Sequence, residues 1–387
     1  MFRGLQGLAG VAVSCFPRSR LPAVFANPRS RATAALESEP QAKRSRRGEE
    51  LQKSMRPRRI GTHNGTFHCD EVLACFLLRR LPRYQDAEIV RSRDPKLLAE
   101  CDVVVDVGGE YEPQKHRYDH HQRSFAETMN SLRPDKPWQT KLSSAGLIYV
   151  HFGTEILASL LGTDEKDPRI SMLYDKLYEN LIEEIDAIDN GISQWDGEPR
   201  YAISTNLSAR VGHLNPRWND KEQDTEAGFR SAMQLVGGEF LDRLDFYRNS
   251  WLPARSLVEE AVRKRFEVDS GGEIVIFAQG GCPWKEHIFH LEQELGVEKP
   301  VKFVLYTDQN SQWRVQCVPV TRNTFQNRLP LPEKWRGLRE EELSKTCGIP
   351  GCIFVHASGF IGGNQTREGA LQMAQKTLAA QETTNEK

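Results

Sequence analysis

Histidine and aspartate residues recur in four separate segments of this chain, at positions that could bring them together around metal ions. They are His63, His68, Asp70, Asp106, Asp119, His120, His121, Asp186 and Asp189. Five of the ten histidines lie between residues 63 and 121, so their clustering, more than their number, indicates a site. Imidazole nitrogens and carboxylate oxygens are suitable ligands for Mn²⁺, Mg²⁺ or Zn²⁺.

Asp106 stands in an otherwise apolar run, Val103-Val104-Val105-Asp106-Val107. A carboxylate buried there without a partner would cost several kcal/mol, so we expect a cation or strong hydrogen-bond donors beside it. The alternative is a structural carboxylate that caps a loop. The neighbouring histidine and aspartate residues favour the metal ligand.

The adjacent side chains of His120 and His121 diverge in an extended segment, so one can bind metal while the other faces substrate or solvent. Asp119 could orient an imidazole. Asp186 and Asp189 share a helical face, and either could complete the site. Two cations about 4 Å apart, bridged by a carboxylate, would perform the two-metal hydrolysis of a phosphoester.

The elements that must position these residues alternate between strand and helix. Strands are predicted at residues 60–63, 88–93 and 101–108, a helix at 70–81 and a helical turn at 96–100. This alternation predicts an open α/β sheet. Because ligands gather beyond the carboxyl ends of parallel strands, residues 63, 106 and 119–121 are in positions where a site would be built.

The remaining chain divides into a helical part and a second β-rich part. Helices are predicted at 143–161, 170–188 and 225–265, the last broken near Trp251-Leu252-Pro253, with a loop at 210–224. Strands are predicted at 273–278, 302–306, 313–318 and 352–356, followed by a glycine-containing loop at 357–364 and a helix at 367–380. The turn between the second and third of these strands predicts a hairpin.

Composition limits the function classes. The net charge is −1 and the pI is about 6.8, so no global basic field indicates nucleic-acid binding, although a local basic groove stays open. The eight cysteines form no Cys-x-x-Cys pair, which is typical of a reduced intracellular protein. No apolar run approaches the roughly 20 residues that span a bilayer, so no membrane partner is expected.

The first 55 residues differ from the rest and are predicted to be a disordered targeting leader. Residues 1–36 are rich in arginine and contain no acidic residue, which favours a mitochondrial transit peptide over a signal peptide or a plain disordered tail. The patch Lys43-Arg44-Ser45-Arg46-Arg47 is similar to a nuclear localisation signal or a phosphate-binding arm. Together they predict a location in the mitochondrial matrix and in the nucleus or nucleolus.

Four ordered motifs resemble those of the DHH phosphoesterase superfamily, and within it the melanocyte-proliferating-gene exonuclease family. They are Gly61-Thr62-His63-Asn64-Gly65-Thr66-Phe67-His68-Cys69-Asp70-Glu71, Asp106-Val107-Gly108-Gly109, Tyr118-Asp119-His120-His121-Gln122-Arg123 and His356-Ala357-Ser358-Gly359-Phe360-Ile361-Gly362-Gly363. The resemblance covers roughly residues 59–380.

This resemblance implies an open, mainly parallel α/β catalytic domain at residues 56–250. A smaller α+β C-terminal substrate domain would follow at residues 251–387. It implies a 3′–5′ exonuclease, a hydrolase that acts on single-stranded RNA in mitochondrial and nuclear or nucleolar RNA processing. The RNA would be precursor mRNA, ribosomal RNA or mitochondrial transcripts.

The resemblance also implies roles for individual residues. His63, His68 and Asp106 would hold one divalent metal ion, and Asp70, Asp106, His120 and Asp189 the other. His121 would lie nearest the scissile phosphate, with Asp119 as its orienting partner. Gly359, Gly362, Gly363 and Arg367 would contact substrate, because a glycine loop before a helix allows close backbone approach to phosphate.

The first motif departs from the superfamily pattern, in which a histidine is followed by three residues, an aspartate, one residue and an aspartate. Here four residues separate His63 from His68, and His68 replaces the first aspartate. Histidine makes the site less anionic and softer, which favours Mn²⁺ over Mg²⁺.

Two alternative functions are a small-substrate phosphohydrolase, such as a pyrophosphatase or nucleotide phosphatase, and a non-catalytic scaffold that binds RNA. The retained ligand residues argue against the scaffold. Trp284, Trp313 and Trp335 could stack on RNA bases, although each is more often a core residue.

Overall fold

In the computed structural model of this protein, the structure describes residues 56–322 and 324–385. The predicted leader and its basic patch at Lys43 to Arg47 lie outside the described residues. From Pro57 onward the chain clusters as one unit, so the predicted boundary between residues 250 and 251 stays a prediction.

The first sheet contains five strands, β1 (Arg59–Thr62), β2 (Glu88–Arg91), β3 (Val103–Val105), β4 (Tyr111–Glu112) and β5 (Arg117–Tyr118). Their order is β2-β1-β3-β5-β4, and all neighbours run parallel except β4 and β5. All three residues of β3 are buried, as expected of a central parallel strand. The mixed α/β class is confirmed, and so is the mainly parallel order of this sheet.

The α-helices of residues 57–268 are numbered α1 to α10. They are α1 (Cys69–Leu78), α2 (Pro95–Ala99), α3 (Met129–Leu132), α4 (Ser144–Leu161), α5 (Pro168–Leu177), α6 (Glu183–Asp189), α7 (Leu207–Gly212), α8 (Thr225–Phe246), α9 (Leu252–Arg263) and α10 (Arg265–Val268). Helices α9 and α10 contact a strand of the second sheet, Ile274–Ile276. Helix α1 packs against α4 and α8, and every residue of α1 is buried. Its burial fixes the first turn of α1, which carries Asp70 and Glu71.

Helix α4 is the central helix of this core. By length and composition it could cross a membrane, but 67% of it is buried inside the protein. Other helices of the same part of the chain, α1, α5 and α6, pack against it. Its apolar composition is therefore what a core helix of a folded domain requires.

Two predicted boundaries in the helical part are wrong. The helix does not break at Trp251-Leu252-Pro253, because a π-helical turn at Tyr247–Trp251 carries α8 directly into α9. Pro253 is the second residue after this turn. A proline inside a helix cannot donate a hydrogen bond to the residue four positions earlier, so the π-helical turn lies where the regular hydrogen-bond pattern is interrupted. A second π-helical turn, Tyr178–Ile182, joins α5 to α6, and α7 replaces the first residues of the predicted loop at 210–224.

The second sheet is built from β6 (Ile274–Ile276), β7 (Phe303–Thr307), β8 (Trp313–Cys317), β9 (Cys352–Val355) and β10 (Ile361–Asn364). Its order is β6-β7-β8-β10-β9, with β6 and β7 parallel and the other neighbours antiparallel. Helices α11 (Lys285–Glu294), α12 (Glu340–Cys347) and α13 (Arg367–Asn385) belong to this part. The predicted hairpin of β7 and β8 is confirmed.

The glycine-containing segment at 357–364 is only partly a loop, so that prediction is wrong for its second half. Gly362 and Gly363 lie in β10, between β8 and β9. A Cβ atom on Gly362 would lie 3.0 Å from side-chain carbons of both Leu331 and Met373. Close packing inside a sheet therefore accounts for this glycine.

Candidate metal centre

The first motif forms the loop after β1 and the start of α1. His68 is the N-cap residue of α1, and its backbone N–H donates to the Glu71 carboxylate at 2.9 and 3.0 Å. Asp70 and Glu71 lie in the first helical turn, where the helix dipole stabilises negative charge. The capping interaction thus sets the Glu71 side chain beside His63.

Glu71 is a site residue that the predictions missed. It is fully buried, and its Oε1 lies 3.2 Å from His63 Nε2. Burial raises the pKa of Glu71 to about 8. A glutamate three residues after an N-cap is already explained as a capping residue, so its type and spacing gave no separate signal of a ligand.

Asp106 connects two of the motifs. Strand β3 ends at Val105, earlier than predicted, because Asp106 adopts a left-handed conformation with φ of 59°. Aspartate is one of the few non-glycine residues that visit this region. Its Oδ2 lies 3.3 Å from His63 Nε2 and its Oδ1 lies 3.1 Å from His120 Nε2. One carboxylate therefore faces imidazoles from two different loops.

His120 faces two further carboxylates. Its Nε2 lies 3.2 Å from Asp189 Oδ2 and 3.8 Å from Asp70 Oδ2. Both the imidazole and the Asp70 carboxylate are buried. Segments that are far apart in the chain, β5 and the end of α6, thus converge on the start of α1.

Among the residues that the structure describes, potential ligand atoms form three groups, within each of which all atoms lie within 4.8 Å of one another. The groups are His63, His68, Glu71 and Asp106; Asp106, His120 and His121; and His68, Asp70 and Asp189. All six predicted metal ligands are in these groups. The grouping differs from the predicted one, because Glu71 and His121 are included and Asp70 and Asp189 are grouped with His68.

The donor set fits divalent cations. Asp70 Oδ2 accepts a hydrogen bond from Ser144 Oγ at 2.7 Å, while its Oδ1 is buried without a hydrogen-bond partner among the described residues. Burial and the neighbouring Asp189 raise the pKa of Asp70. A buried carboxylate oxygen beside other carboxylates needs a cation or a proton, and the imidazole and carboxylate ligands suit a divalent metal ion.

Protons can supply the missing positive charge when no metal ion is bound. Burial opposes charge on His63, but hydrogen bonds to Asp106 and Glu71 raise its pKa to about 10. Burial likewise opposes charge on His120, but Asp106 and Asp189 raise its pKa to about 10. Because a histidine must be neutral to bind a metal ion, binding should release protons from this centre.

Asp119 has the position expected of an orienting residue. It is buried, its Oδ2 accepts from the Gly109 N–H at 2.6 Å, and its Oδ1 lies 2.8 Å from His121 Nδ1. The His121 side chain is 63% exposed and its Nδ1 lies 3.5 Å from Asp106 Oδ1. His121 therefore lies at the open side of the centre with one nitrogen held by Asp119.

Asp186 and Asp189 occupy different environments. Asp186 is fully buried and accepts hydrogen bonds from the backbone N–H and hydroxyl of Ser143, from the Gly146 N–H and from the Tyr178 hydroxyl. Burial raises the pKa of Asp186 to about 7. Asp186 thus joins α6 to α4, while Asp189 faces His120.

The predicted substrate residues lie in the second sheet and outside the three ligand groups. Gly359 lies in a turn with φ of 73°. Arg367 is exposed at the start of α13 and lines a cavity of about 340 Å³ together with Trp313. Trp284 and Trp335 are buried core residues and are not available for stacking on bases.

Comparison with known proteins relates this chain to one family over nearly all of its described length. The MYG1_exonuc model, described as "Uncharacterised protein family (UPF0160)", matches residues 59–378. The chain is 68% identical to "MYG1 exonuclease" of Homo sapiens over 344 residues, which cover 89% of this chain and 90% of that protein. It is 52% identical to "MYG1 protein C27H6.8" of Caenorhabditis elegans over 322 residues, covering 82% and 94% of the two chains. It is also 44% identical to "MYG1 protein YER156C" of Saccharomyces cerevisiae over 333 residues, covering 83% and 96%.

Proposed function

This chain belongs to the MYG1 exonuclease family, and from that membership and the site geometry we propose that it is a metal-dependent 3′–5′ exoribonuclease. The observation that supports this most directly is the Asp106 carboxylate, whose two oxygens face His63 and His120. A carboxylate shared between two ligand groups is what a site for two adjacent divalent cations requires.

Seven residues would hold the cations. They are His63, His68, Asp70, Glu71, Asp106, His120 and Asp189. Bound divalent cations would activate water and neutralise charge on the phosphodiester. Mn²⁺ is favoured over Mg²⁺, because His68 supplies nitrogen where the superfamily pattern has a carboxylate.

His121 would act directly on the substrate. Asp119 holds the Nδ1 side of the ring, which leaves Nε2 directed away from Asp119. An imidazole in this arrangement can donate a hydrogen bond to a phosphate oxygen or a proton to the departing ribose oxygen. Asp119 fixes the ring orientation, as carboxylate partners of histidine commonly do.

The second sheet would bind the rest of the substrate. Arg367 offers an exposed guanidinium for an RNA phosphate. The turn and strand that precede Arg367 in the chain contain Gly359, Gly362 and Gly363. The substrates would be single-stranded RNAs of the mitochondrion and the nucleus or nucleolus, to which the leader at residues 1–55 would direct the protein.

End-labelled single-stranded RNA tests the activity and its direction. With Mn²⁺, RNA labelled at the 5′ end should give a ladder of shortened products, while RNA labelled at the 3′ end should release labelled mononucleotide at once. EDTA should abolish both reactions, and DNA of the same sequence should be cleaved more slowly. Phosphate release from pyrophosphate without RNA shortening would instead establish the small-substrate phosphohydrolase.

A further inference from the structure

Trp218 is the most exposed tryptophan that the structure describes. It is 94% exposed, although tryptophan usually buries most of its large apolar surface. It lies in the segment between α7 and α8. On a disordered loop, a fully exposed indole has no particular significance. Whether the exposure of Trp218 matters therefore depends on whether its loop has a fixed structure.

The loop that carries Trp218 is held by its own hydrogen bonds. The Asp220 N–H donates to the Arg217 carbonyl at 3.0 Å, and the Arg217 N–H donates to Asp220 Oδ2 at 2.7 Å. Gln223 Nε2 donates to the carbonyls of Arg217 and Asp220 at 2.7 and 2.9 Å. Trp218 is therefore the second residue of a closed turn, and its backbone is fixed while its side chain projects outward.

The same loop is attached to the first metal motif. Asn215 accepts from the Phe67 N–H at 3.0 Å and donates to the Phe67 carbonyl at 2.9 Å, and Phe67 immediately precedes His68. The Leu214 carbonyl packs so closely on Gly228 that a Cβ there would lie 2.5 Å from it. Since three residues of chain span at most about 10 Å, Trp218 lies within that distance of Asn215, which is hydrogen-bonded to the residue before His68.

A second loop leads away from another ligand of the centre and also exposes aromatic rings. Trp195 is 48% exposed and Tyr201 is 66% exposed, in the segment that joins Asp189 to α7. Helix α7 is followed directly by the Asn215 loop. Exposed aromatic residues therefore lie on both segments that flank α7, and each segment is tied to a metal-centre residue.

We propose that Trp218, together with Trp195 and Tyr201, stacks on the unpaired bases of single-stranded RNA whose end lies in the metal centre. This inference rests on the proposed nuclease function. Every base has a π face, so stacking holds a strand without selecting its sequence, as an exonuclease that moves along RNA requires. The attachment of these loops to the metal centre favours a nucleic-acid substrate over a separate protein partner.

The test compares a substrate with bases and one without. Trp218→Ala should raise KM for a single-stranded RNA roughly tenfold in Mn²⁺, since removing one stacking side chain weakens binding by about that factor. Trp218→Phe should restore most of the affinity. Hydrolysis of bis(p-nitrophenyl) phosphate should stay unchanged in both variants, because this phosphodiester has no base.

Two further measurements make the result specific. RNA with abasic sites next to its 3′ end should bind wild type and Trp218→Ala equally, because the stacking partner is missing. The double variant of Trp195 and Tyr201 to alanine should raise KM for RNA in the same way. Phe325→Ala removes an equally exposed ring from a loop after β8 and should leave KM unchanged.

The failure of stacking differs from the failure of the proposed function. If wild type cleaves RNA and Trp218→Ala has the same KM for RNA, the stacking proposal is overturned and the proposed nuclease function stands. If Trp218→Ala lost activity equally on RNA and on bis(p-nitrophenyl) phosphate, Trp218 would have a structural role. That result would also overturn stacking. A wild-type protein that cleaves no RNA would overturn both proposals.

Discussion

The first sheet has parallel neighbours at every interface but one, while the second is antiparallel at every interface but one. In the first, His63 and Asp106 follow adjacent parallel strands and meet at the same edge. In the second, Gly362 and Gly363 lie inside a strand between two antiparallel neighbours.

The difference shows how strand direction decides what a motif can do. Parallel strands place the residues that follow them at one edge, so polar groups far apart in the chain can share a cation. Antiparallel neighbours place successive strand ends at opposite edges, and a glycine between them mainly allows close packing.

Asp106→Asn should have the largest effect, because it removes the carboxylate shared by two ligand groups. Nuclease activity should fall at least about 10²- to 10³-fold, and Mn²⁺ binding measured by calorimetry should weaken greatly. Asparagine tolerates the left-handed conformation, so the circular dichroism spectrum should not change.

The matched control lies in the second sheet. Asp308 follows β7, where it accepts from the backbone N–H groups of Asn310 and Gln312 and pairs with Arg314. Asp308→Asn should leave metal binding and activity intact. Equal effects of the two substitutions would contradict the contrast between the sheets.

Glu71→Gln should have the next largest effect. An amide can keep one hydrogen bond from the His68 N–H but is a poor ligand and a weaker partner for His63. Metal affinity should fall about 10- to 100-fold, as for other residues that support or complete a metal site. Glu88→Gln, at the exposed first residue of β2, is the control. A metal affinity equal to wild type in Glu71→Gln would exclude Glu71 from the centre.

Gly362→Ala should reduce stability without changing metal binding. The added methyl group meets Leu331 and Met373, and overpacking of this kind costs about 1–3 kcal/mol in the free energy of unfolding measured with urea. Gly238→Ala has open space in α8 and should stabilise the protein by about 0.5–1 kcal/mol. Loss of RNA binding at full stability would instead support the predicted substrate contact.

Asp186→Asn should have the smallest effect, and the size of its effect on the free energy of unfolding should depend on pH. Because burial raises the folded pKa of Asp186 to about 7 from 3.8, its contribution to stability is complete below pH 3.8 and is lost as the pH rises through 7. An amide oxygen can accept from Ser143 and Gly146 while the amide nitrogen donates to Tyr178. The variant should therefore match wild type below pH 3.8 and exceed it in free energy of unfolding near pH 8, whereas equal destabilisation at both pH values would refute this assignment.

Sequence patterns predicted the elements of the centre well, because the apolar run at Val103–Val105 and the histidine and aspartate motifs are local signals. They could not choose between Asp186 and Asp189, since the two lie on the same helical face. Glu71 was missed because capping already explained it, and the strand at Ile361–Asn364 was missed because glycine rarely favours strands.

The order of hydrophobic segments and motifs by itself determined the α/β class, the mainly parallel first sheet and the ligand types available to a metal ion. Only the tertiary structure decided which oxygen and nitrogen atoms meet, because the groups join residues from separate segments, up to more than a hundred positions apart in the case of Asp70 and Asp189. It also joined the loop of the exposed Trp218 to the first motif, through hydrogen bonds between Asn215 and Phe67 that no local pattern specifies. Local patterns report the preferences of neighbouring residues, whereas a site depends on the packing of distant ones.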